Sequence, residues 1–330
     1  MKPLVIPLFL VLTACHGGGA APDAGAPNDA ADPASDLSID DAATPSLQDL
    51  ATNDLVDPGP ALLAARPYKL KVPVGYDPAQ PTPLLIMLHG YNSDAATHEA
   101  YFQFAPLADT KTFLYAYPDG SLDFIFKRGW NATDACCFFQ PQKPDDLGYL
   151  KAVLDDVQAK YNVDPKRVFV LGHSNGGFMT NRLACELSPR IAAIVSMAGA
   201  VWKDPLACAT SSPVAMLQVH AENDPSIDYN GGKMFFAAPP YPSAHETVAT
   251  WAAKNGCDPT LHATTDTVDL VSSAAGAETT IERYSGCAGN SAVELWTMRG
   301  ISDASTAHQP PINTSFAATM WTFLSAHPKP

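Results

Sequence analysis

Apolar residues along most of the chain fall into short unbroken runs separated by longer periodic stretches. The runs predict buried strands at residues 84–88, 113–117, 168–171, 191–195, 214–219 and 293–298. Apolar positions at helical spacing predict helices at residues 146–161, 178–187, 245–254 and 315–326. Strands that alternate with helices predict an α/β fold, with a mostly parallel central sheet covered by helices on both faces.

The amino-terminal end follows a different pattern. Lys2 precedes an apolar stretch at residues 4–12, which is too short to span a bilayer as a mature helix and is typical of an export signal. The stretch ends in Leu-Thr-Ala and then Cys15, which resembles a bacterial lipobox. That resemblance implies a lipoprotein signal peptide at residues 1–14 and acylation of the Cys15 thiol. A plain secretory signal is the alternative.

Residues 16–60 contain nine Asp and no Lys or Arg. They carry few large apolar groups, so they cannot bury enough surface to offset the entropy of ordering. We expect residues 15–60 to be a disordered acidic Ala/Asp/Pro linker, or a pro-segment without a role, and residues 61–330 to be one catalytic domain. Because His16 rather than Asp follows Cys15, the expected location is the cell envelope, at the outer membrane and cell surface, or outside the cell.

Charge and cysteine content narrow the class of protein further. The formal charge of the chain is −14, and outside residues 16–60 the chain has 25 acidic and 20 basic residues. This balance argues against a nucleic-acid partner. An even number of cysteines in an exported domain predicts disulfides, and six of them leave the connectivity open. We prefer Cys257–Cys287, because both lie in Gly-flanked turns. The six are Cys136, Cys137, Cys185, Cys208, Cys257 and Cys287.

The chemistry of the chain is predicted to centre on Ser174. Gly172-His173-Ser174-Asn175-Gly176 fits the G-x-S-x-G pattern, and it lies between a predicted buried strand and a predicted helix. A sharp turn there needs small flanking residues and exposes the hydroxyl at a helix N-terminus, where negative charge is favoured. Ser174 is therefore the candidate nucleophile.

A nucleophilic serine needs an imidazole base and an acid that orients it, in the chain order Ser, Asp, His in this kind of fold. Asp224 follows the predicted strand 214–219, with Asp228 as the rival and Glu222 as the weaker alternative. His308 lies in the loop between the last predicted strand and the last predicted helix. The other histidines considered are expected to brace loops near the site, to precede the last strand, or to follow the last helix: His89, His220, His245, His262 and His327.

An oxyanion formed during attack needs two N–H donors. The candidates are the backbone amides of Asn175, directly after the nucleophile, and of Tyr91, in the loop after strand 84–88. Several aromatic side chains offer faces to a substrate, although an aromatic side chain lies more often in a core. Candidate substrate-binding residues are Trp130, Trp202 and Tyr229, with Phe138 and Phe139 as further possibilities.

These motifs together resemble one family, the poly(3-hydroxybutyrate) depolymerase-like esterases, which include feruloyl and acetylxylan esterases. The resemblance covers residues 66–326, and it implies an α/β-hydrolase fold, a secreted ester hydrolase and a triad of Ser174, Asp224 and His308. The family often has the sequence Gly-Gly-His-x-Trp around the histidine that acts as general base, whereas residues 299–308 form a longer loop here. The segments that carry the resemblance include Leu88-His89-Gly90-Tyr91, Trp130 with Cys136-Cys137, residues 145–150, residues 162–168, Gly172 to Gly177, residues 183–186, and His220 to Asp224 leading to residues 229–232.

The expected function is that of a lipid-anchored serine esterase acting through an acyl-enzyme on feruloyl or acetyl esters of polysaccharide fragments. This chemistry requires no metal and no organic cofactor. The expected partners are the ester substrate and a membrane reached through Cys15, and the oligomeric state stays open. Alternatives are a short-chain polyhydroxyalkanoate depolymerase, a peptidase, and a non-catalytic surface-binding lipoprotein on a degenerate hydrolase fold.

Overall fold

A computed structural model describes residues 57–138 and 140–330. The predicted signal peptide, Cys15, Phe139 and residues 15–56 of the predicted linker lie outside these residues. The first helix begins at Gly59, within the last two residues of the predicted linker. In the described ranges no helix has both the length and the apolar character needed to cross a bilayer.

Helices and strands alternate along most of the described chain. The helices are α1 (Gly59–Ala65), α2 (Ala95–Phe102), α3 (Phe104–Lys111), α4 (Asp146–Lys160), α5 (Asn175–Glu186), α6 (Ala244–Lys254) and α7 (Phe316–Ala326), with short 3-10 helices at Pro205–Ala207 and Ala304–Thr306. The strands are β1 (Lys69–Lys71), β2 (Thr82–Leu88), β3 (Leu114–Tyr117), β4 (Ser121–Leu122), β5 (Arg128–Gly129), β6 (Val163–His173), β7 (Ala193–Met197), β8 (Ala215–Ala221), β9 (Leu261–Val268), β10 (Thr279–Tyr284) and β11 (Val293–Met298).

Nine of these strands form one sheet in the order β1-β3-β2-β6-β7-β8-β11-β10-β9. The six strands from β3 to β11 in this order are parallel to their neighbours, whereas β1, β10 and β9 pair antiparallel at the two edges. The predicted fold class, a mostly parallel sheet with helices on both faces, is confirmed. Because parallel strands share a direction, the loops after β2, β6 and β8 meet at one edge of the sheet.

Alternation along the buried strands divides the core into two layers. In β2, Leu84, Ile86 and Leu88 face one apolar cluster, which includes buried residues of α4, α5 and α6. Leu85 and Met87 face the other cluster, which includes buried residues of α2, α3 and α7. A strand that is apolar on both faces can pack helices on both sides, which explains its unbroken apolar sequence.

The sequence did not predict the edge strands β1, β9 and β10, because they lack an unbroken run of apolar residues. No residue of β9 is buried, and the strand is rich in threonine. In contrast, every residue of β2, β7 and β8 is buried. Strand β6 is also longer than predicted, since it begins at Val163 and runs through Asp164 and Pro165 before reaching the apolar run.

The structure pairs all six cysteines of the described chain. Cys257 is bonded to Cys287, which is the pairing preferred from the sequence. The other bonds join Cys185 with Cys208, and the neighbours Cys136 and Cys137. The bonds at Cys185 and Cys257 close loops of 23 and 30 residues.

Candidate active site

Ser174 lies at the sharp turn between β6 and α5. Its backbone has φ 55° and ψ −123°, and residues other than glycine rarely adopt a positive φ. The turn is held because the Ser174 amide donates to the Met197 carbonyl at 2.8 Å. Such a strained bend at the start of a helix aims the hydroxyl away from the sheet edge, as a nucleophile requires.

Two glycines make this bend possible. A Cβ atom on Gly172 would collide with the carbonyl oxygen of Gly176, and one on Gly176 would collide with the carbonyl oxygens of Leu88 and His89. The backbone of the turn therefore packs directly against the end of β2. This contact explains the spacing of the G-x-S-x-G pattern and brings the loop after β2 against Ser174.

Asp224 and His308 come together beside this turn, although 84 residues separate them. His308 follows the 3-10 helix Ala304–Thr306, in the loop between β11 and α7, and its Nδ1 lies 2.8 Å from Oδ2 of Asp224 and 3.1 Å from Oδ1. The Asp224 side chain is completely buried, whereas the His308 side chain is 20% exposed. A neutral His308 donates its Nδ1 proton to the carboxylate, which leaves Nε2 free to accept a proton.

His220 is a second histidine on the same carboxylate. Its Nε2 lies 3.3 Å from Oδ2 of Asp224 and 2.9 Å from the Ile227 carbonyl oxygen. Oδ1 of Asp224 also accepts the backbone amides of Ser226 and Ile227, at 2.8 and 3.0 Å. Burial alone would raise the pKa of Asp224, but hydrogen bonds from His220 and His308 outweigh it and hold that pKa well below its usual value.

The rival acids are engaged elsewhere. Asp228 accepts the Asn230 amide at 2.8 Å and so caps its own turn. Glu222 pairs with Arg299 at 2.5 Å, at an exposed position. Two of the histidines outside the site also have partners: His245 faces Glu282 at 3.4 Å, and His327 contacts the Phe323 carbonyl oxygen at 2.7 Å. Neither rival acid hydrogen-bonds to His308.

The long loop of residues 299–308, which carries His308 and is called the base loop, is hydrogen-bonded to the loop that carries Asp224. Asn223 donates its side-chain amide to the Ile301 carbonyl at 2.8 Å. Asp303 caps the 3-10 helix by accepting the Ser305 amide at 3.0 Å. These contacts fix the loop that departs from the Gly-Gly-His-x-Trp pattern, and they bring His308 to Asp224 despite the longer path.

The two predicted oxyanion donors lie on the loops that meet at Ser174. Gly90 packs so closely that a Cβ atom there would lie 3.4 Å from Cβ of Ser174. In the described ranges the backbone N–H groups of Tyr91 and Asn175 have no acceptor, although the neighbouring Asn92 amide donates to the Arg128 carbonyl at 2.7 Å. Two unpaired amides beside a strained serine are suited to bind a developing negative charge.

Two buried histidines beside Ser174, His173 and His98, are linked by hydrogen bonds, and the sequence did not predict this role for either. His173 Nε2 donates to the His308 carbonyl oxygen at 2.8 Å, because a carbonyl can only accept. His173 Nδ1 lies 3.1 Å from Nε2 of His98, whose Nδ1 lies 2.9 Å from the Ser93 hydroxyl. His98 belongs to α2 and no motif marks it; only its complete burial, which the sequence does not reveal, identifies it.

The predicted substrate-binding aromatics occupy different environments. Trp130 is completely buried, and its indole N–H donates to the His89 carbonyl at 2.9 Å. It therefore braces the loop after β2 from inside the core, a position that does not fit the predicted contact with substrate. Trp202 is partly buried against the core, and Phe138 is buried.

Tyr229 is nearly buried and separates the acid from a neighbouring groove. Its hydroxyl is 2.7 Å from that of Thr297, and its ring packs edge-on against both His220 and His245 at 5.5 Å. The groove has a volume of about 710 Å³ and is lined by Tyr229 together with Glu222 and Arg299, but not by Ser174 or His308. Within the described residues, no group of three or more His, Cys, Asp or Glu side chains is arranged to hold a metal ion.

A serine at a strand-to-helix elbow, with an Asp–His pair on later strand-end loops, is the arrangement of the α/β-hydrolase fold. The phospholipase/carboxylesterase family matches residues 138–238. An acetyl xylan esterase from Aspergillus awamori has the same fold, with a TM-score of 0.54 at 15% identity over 78% of this chain and 93% of that one.

The chain is also similar in sequence to curated esterases and to a depolymerase. The chain is 28% identical over 194 residues to feruloyl esterase B of Piromyces equi, covering 57% of this chain and 35% of the relative. It is 31% identical over 133 residues to poly(3-hydroxyalkanoate) depolymerase C of Paucimonas lemoignei, covering 39% of this chain and 30% of the relative. The chain covers only 58% and 35% of the length of the first two curated relatives that it matches. The resemblance predicted from the motifs is confirmed: the chain has the α/β-hydrolase fold and is similar in sequence to feruloyl esterases and to a polyhydroxyalkanoate depolymerase.

Proposed function

We propose that the chain hydrolyses carboxylic esters, with Ser174 as nucleophile, His308 as general base and Asp224 as the acid that orients the base. The observation that carries this proposal is the His308 imidazole held at 2.8 Å on a completely buried carboxylate, beside a serine in a strained turn. In the described ranges the Ser174 hydroxyl has no hydrogen-bond partner. The hydrogen bond to a base is often long in a free enzyme and shortens when substrate binds.

In this mechanism His308 Nε2 takes the Ser174 proton as the hydroxyl oxygen attacks the ester carbonyl. The amides of Tyr91 and Asn175 bind the resulting oxyanion, and Asp224 stabilises the positive charge that develops on the imidazole. The imidazolium then protonates the leaving alcohol, which leaves an acyl-enzyme on Ser174. Water attacks the acyl group with help from the same base, and the acid product departs.

We propose feruloyl or acetyl esters on polysaccharide fragments as the first substrate class. The support is the similarity to proteins named feruloyl esterase B and feruloyl esterase C. A water-insoluble or oligomeric hydroxyalkanoate ester is the second candidate. Two observations favour it: the similarity to a poly(3-hydroxyalkanoate) depolymerase, and a cluster of exposed apolar side chains beside the candidate oxyanion hole, in the hairpin of β4 and β5. The cluster consists of Leu122, Phe124, Ile125 and Phe126.

We further propose that a signal peptide at residues 1–14 is removed, that Cys15 is acylated, and that residues 15–58 act as a spacer between the membrane and the hydrolase domain. The support is the lipobox-like sequence before Cys15 and the acidic composition that follows. Cells grown with radioactive palmitate should yield a labelled protein, and Cys15→Ser should yield an unlabelled one. Recovery of an unlabelled soluble wild-type protein would overturn the anchor without touching the esterase proposal.

Hydrolysis is tested with p-nitrophenyl acetate under pre-steady-state conditions. The wild-type chain should release a burst of p-nitrophenol close to one equivalent of protein, and Ser174→Ala should lack the burst. Ser325→Ala, on the exposed face of α7, is the matched control and should behave as wild type. A folded wild-type chain that turns over no ester would favour the non-catalytic binding protein.

The substrate class is tested by comparing kcat/KM for feruloylated arabino-oligosaccharide, acetylated xylo-oligosaccharide and hydroxybutyrate trimer. The first substrate class predicts that one of the two sugar esters has the highest value. A highest value for the hydroxybutyrate trimer would favour the second candidate.

A further inference from the structure

A row of hydrogen bonds connects Ser93, on the loop after β2, to the backbone of His308. The Ser93 hydroxyl lies 2.9 Å from Nδ1 of His98, and Nε2 of His98 lies 3.1 Å from Nδ1 of His173. Nε2 of His173 in turn lies 2.8 Å from the His308 carbonyl oxygen. Ser93 follows Tyr91 by two residues, so the row joins the loop of a candidate oxyanion donor to the loop of the candidate base.

The direction of these bonds is fixed at the His308 end. A carbonyl oxygen only accepts, so Nε2 of His173 must carry a proton. His173 and His98 are buried, and burial lowers the pKa of both imidazoles, so each stays neutral and carries one proton. Nδ1 of His173 is therefore an acceptor, and it accepts the Nε2 proton of His98.

The same reasoning assigns a role to the Ser93 hydroxyl. With its single proton on Nε2, His98 has a bare Nδ1, which needs a donor because this imidazole is 1% exposed. The Ser93 hydroxyl, at 2.9 Å from that nitrogen, is the donor. All three bonds then run in one direction, from Ser93 to the His308 carbonyl, and bonds arranged in this way polarise and strengthen one another.

The opposite protonation of His98 has a competing partner, but it breaks the row. The Gly90 amide lies 3.3 Å from Nε2 of His98 and can donate to that nitrogen only when the nitrogen is bare. Nε2 of His98 and Nδ1 of His173 would then face each other at 3.1 Å without a proton between them. A hydroxyl that donates to Nδ1 of His98 favours the protonation that keeps the row intact.

Helix α2 makes a second contact with the segment that carries His308. His98 and Tyr101 lie on α2, about one turn apart. The Tyr101 hydroxyl donates at 2.7 Å to the carbonyl of Pro310, which follows His308 by two residues. The backbone around His308 is thus held through His173 and through Tyr101, so a shift of His98 would displace the His308 imidazole.

We infer that Ser93 is a positioning residue for the candidate base, because its hydroxyl holds the proton of His98 on Nε2 and so keeps the row to the His308 backbone intact. The inference rests on the proposed ester hydrolysis, in which His308 takes the Ser174 proton. Ser93 acts through His98 and His173, and it changes only how well the base is aligned. Its loss should therefore lower kcat and leave KM nearly unchanged.

The protonation of the two imidazoles is measured by NMR on the full chain labelled with nitrogen-15, because the chemical shift separates a protonated imidazole nitrogen from a bare one. The signals are assigned by their loss in His98→Gln and His173→Gln. At neutral pH both histidines should carry the proton on Nε2, and Ser93→Ala should shift the Nδ1 signal of His98. A proton on Nδ1 of either histidine would overturn the inference. This measurement needs no turnover, so it is separate from the test of ester hydrolysis.

Kinetics with p-nitrophenyl acetate test the positioning role itself. In Ser93→Ala, kcat should fall about threefold to tenfold, which is the effect of one hydrogen bond, while KM changes less than about twofold. Ser93→Thr keeps a hydroxyl and should recover most of the loss. Ser285→Ala removes an exposed hydroxyl that donates to Asp258 at 2.9 Å, and as the matched control it should behave as wild type.

The outcomes separate this inference from the proposed function. Equal kcat in Ser93→Ala and wild type would overturn the positioning role, as would an equal loss in Ser93→Thr and Ser93→Ala. A wild-type chain that turns over no ester would instead refute the proposed hydrolysis, and the positioning role with it.

Discussion

Two groups of imidazoles flank Ser174, and they differ in what faces them. His308 and His220 both contact the buried carboxylate of Asp224. His89, His98 and His173 instead contact backbone groups, a hydroxyl or one another. Burial lowers the pKa of His173 to about 3 and that of His98 to about 2, and nearby histidines reinforce the shift.

In the proposed mechanism, this difference separates the reactive histidine, His308, from histidines with a structural role. An imidazole that takes a proton during catalysis needs a negative partner that stabilises the charge, and Asp224 provides one for His308. The other group stays neutral, and its hydrogen bonds connect the serine turn to the backbone of the base loop. The buried carboxylate, and not burial by itself, separates the two roles.

The largest effect is expected when the negative charge of Asp224 is removed. Asp224→Asn keeps the shape of the side chain but no longer stabilises an imidazolium, so kcat for p-nitrophenyl acetate should fall about 10⁴-fold, and KM should change little. Asp228→Asn is the matched control and should retain wild-type kcat. If Asp228→Asn proved the more damaging change, Asp228 rather than Asp224 would be the acid.

A smaller effect is expected from the neutral group. His173→Phe removes the donor to the His308 carbonyl, so kcat should fall about 10- to 100-fold because the base is less well positioned. His173→Gln retains an N–H donor and should recover most of this loss. His327→Leu removes a similar imidazole-to-carbonyl contact in α7 and should leave kcat unchanged. Equal kcat in His173→Phe and wild type would exclude a positioning role.

Removing the second histidine on the carboxylate should matter less still. Asp224 keeps His308 and two backbone amides when His220→Phe removes one contact, so we expect kcat to fall about threefold to tenfold. Because His220 helps to hold the pKa of Asp224 down, that pKa should rise in the variant. Infrared or NMR titration of the carboxyl group would measure the shift, and an unchanged pKa would contradict the assignment.

The smallest effect is on how the free energy of unfolding depends on pH, through the buried histidines. A histidine whose folded pKa is depressed contributes full stability above its unfolded pKa of about 6.5 and loses it as pH falls toward the folded value. Each such histidine should cost about 1.4 kcal/mol of unfolding free energy per pH unit across that window.

This slope is measured by urea unfolding at pH 7, 6, 5 and 4. A His98→Gln/His173→Gln variant should lose stability less steeply than wild type as pH falls from 6.5. A His245→Gln/His327→Gln variant removes two histidines outside the buried group and should keep the wild-type slope. Equal slopes for wild type and the first variant would show that these imidazoles are not protonated on unfolding.

Much of the fold could be predicted because burial on both faces leaves a local signature. The strands of the parallel core appear as unbroken apolar runs, and the serine turn carries its own spacing because Gly172 and Gly176 must approach other backbone. Strands β9 and β10 could not be predicted in this way, since their side chains are largely exposed or only partly buried. Strand β10 pairs with β11 of the parallel core, and β9 pairs with β10. Both strands are therefore ordered only when β11 is in place.

For this protein, the sequence by itself determined the α/β class, the serine turn and the strand ends where an acid and a base were expected. Tertiary structure alone decided which imidazoles meet the carboxylate, that Trp130 lies inside the core, and that Asp123 joins an exposed apolar hairpin to the loop after β2. The reason is physical: periodicity and turn chemistry act over a few residues, whereas a contact between residues 84 positions apart exists only once the sheet has brought their loops to one edge.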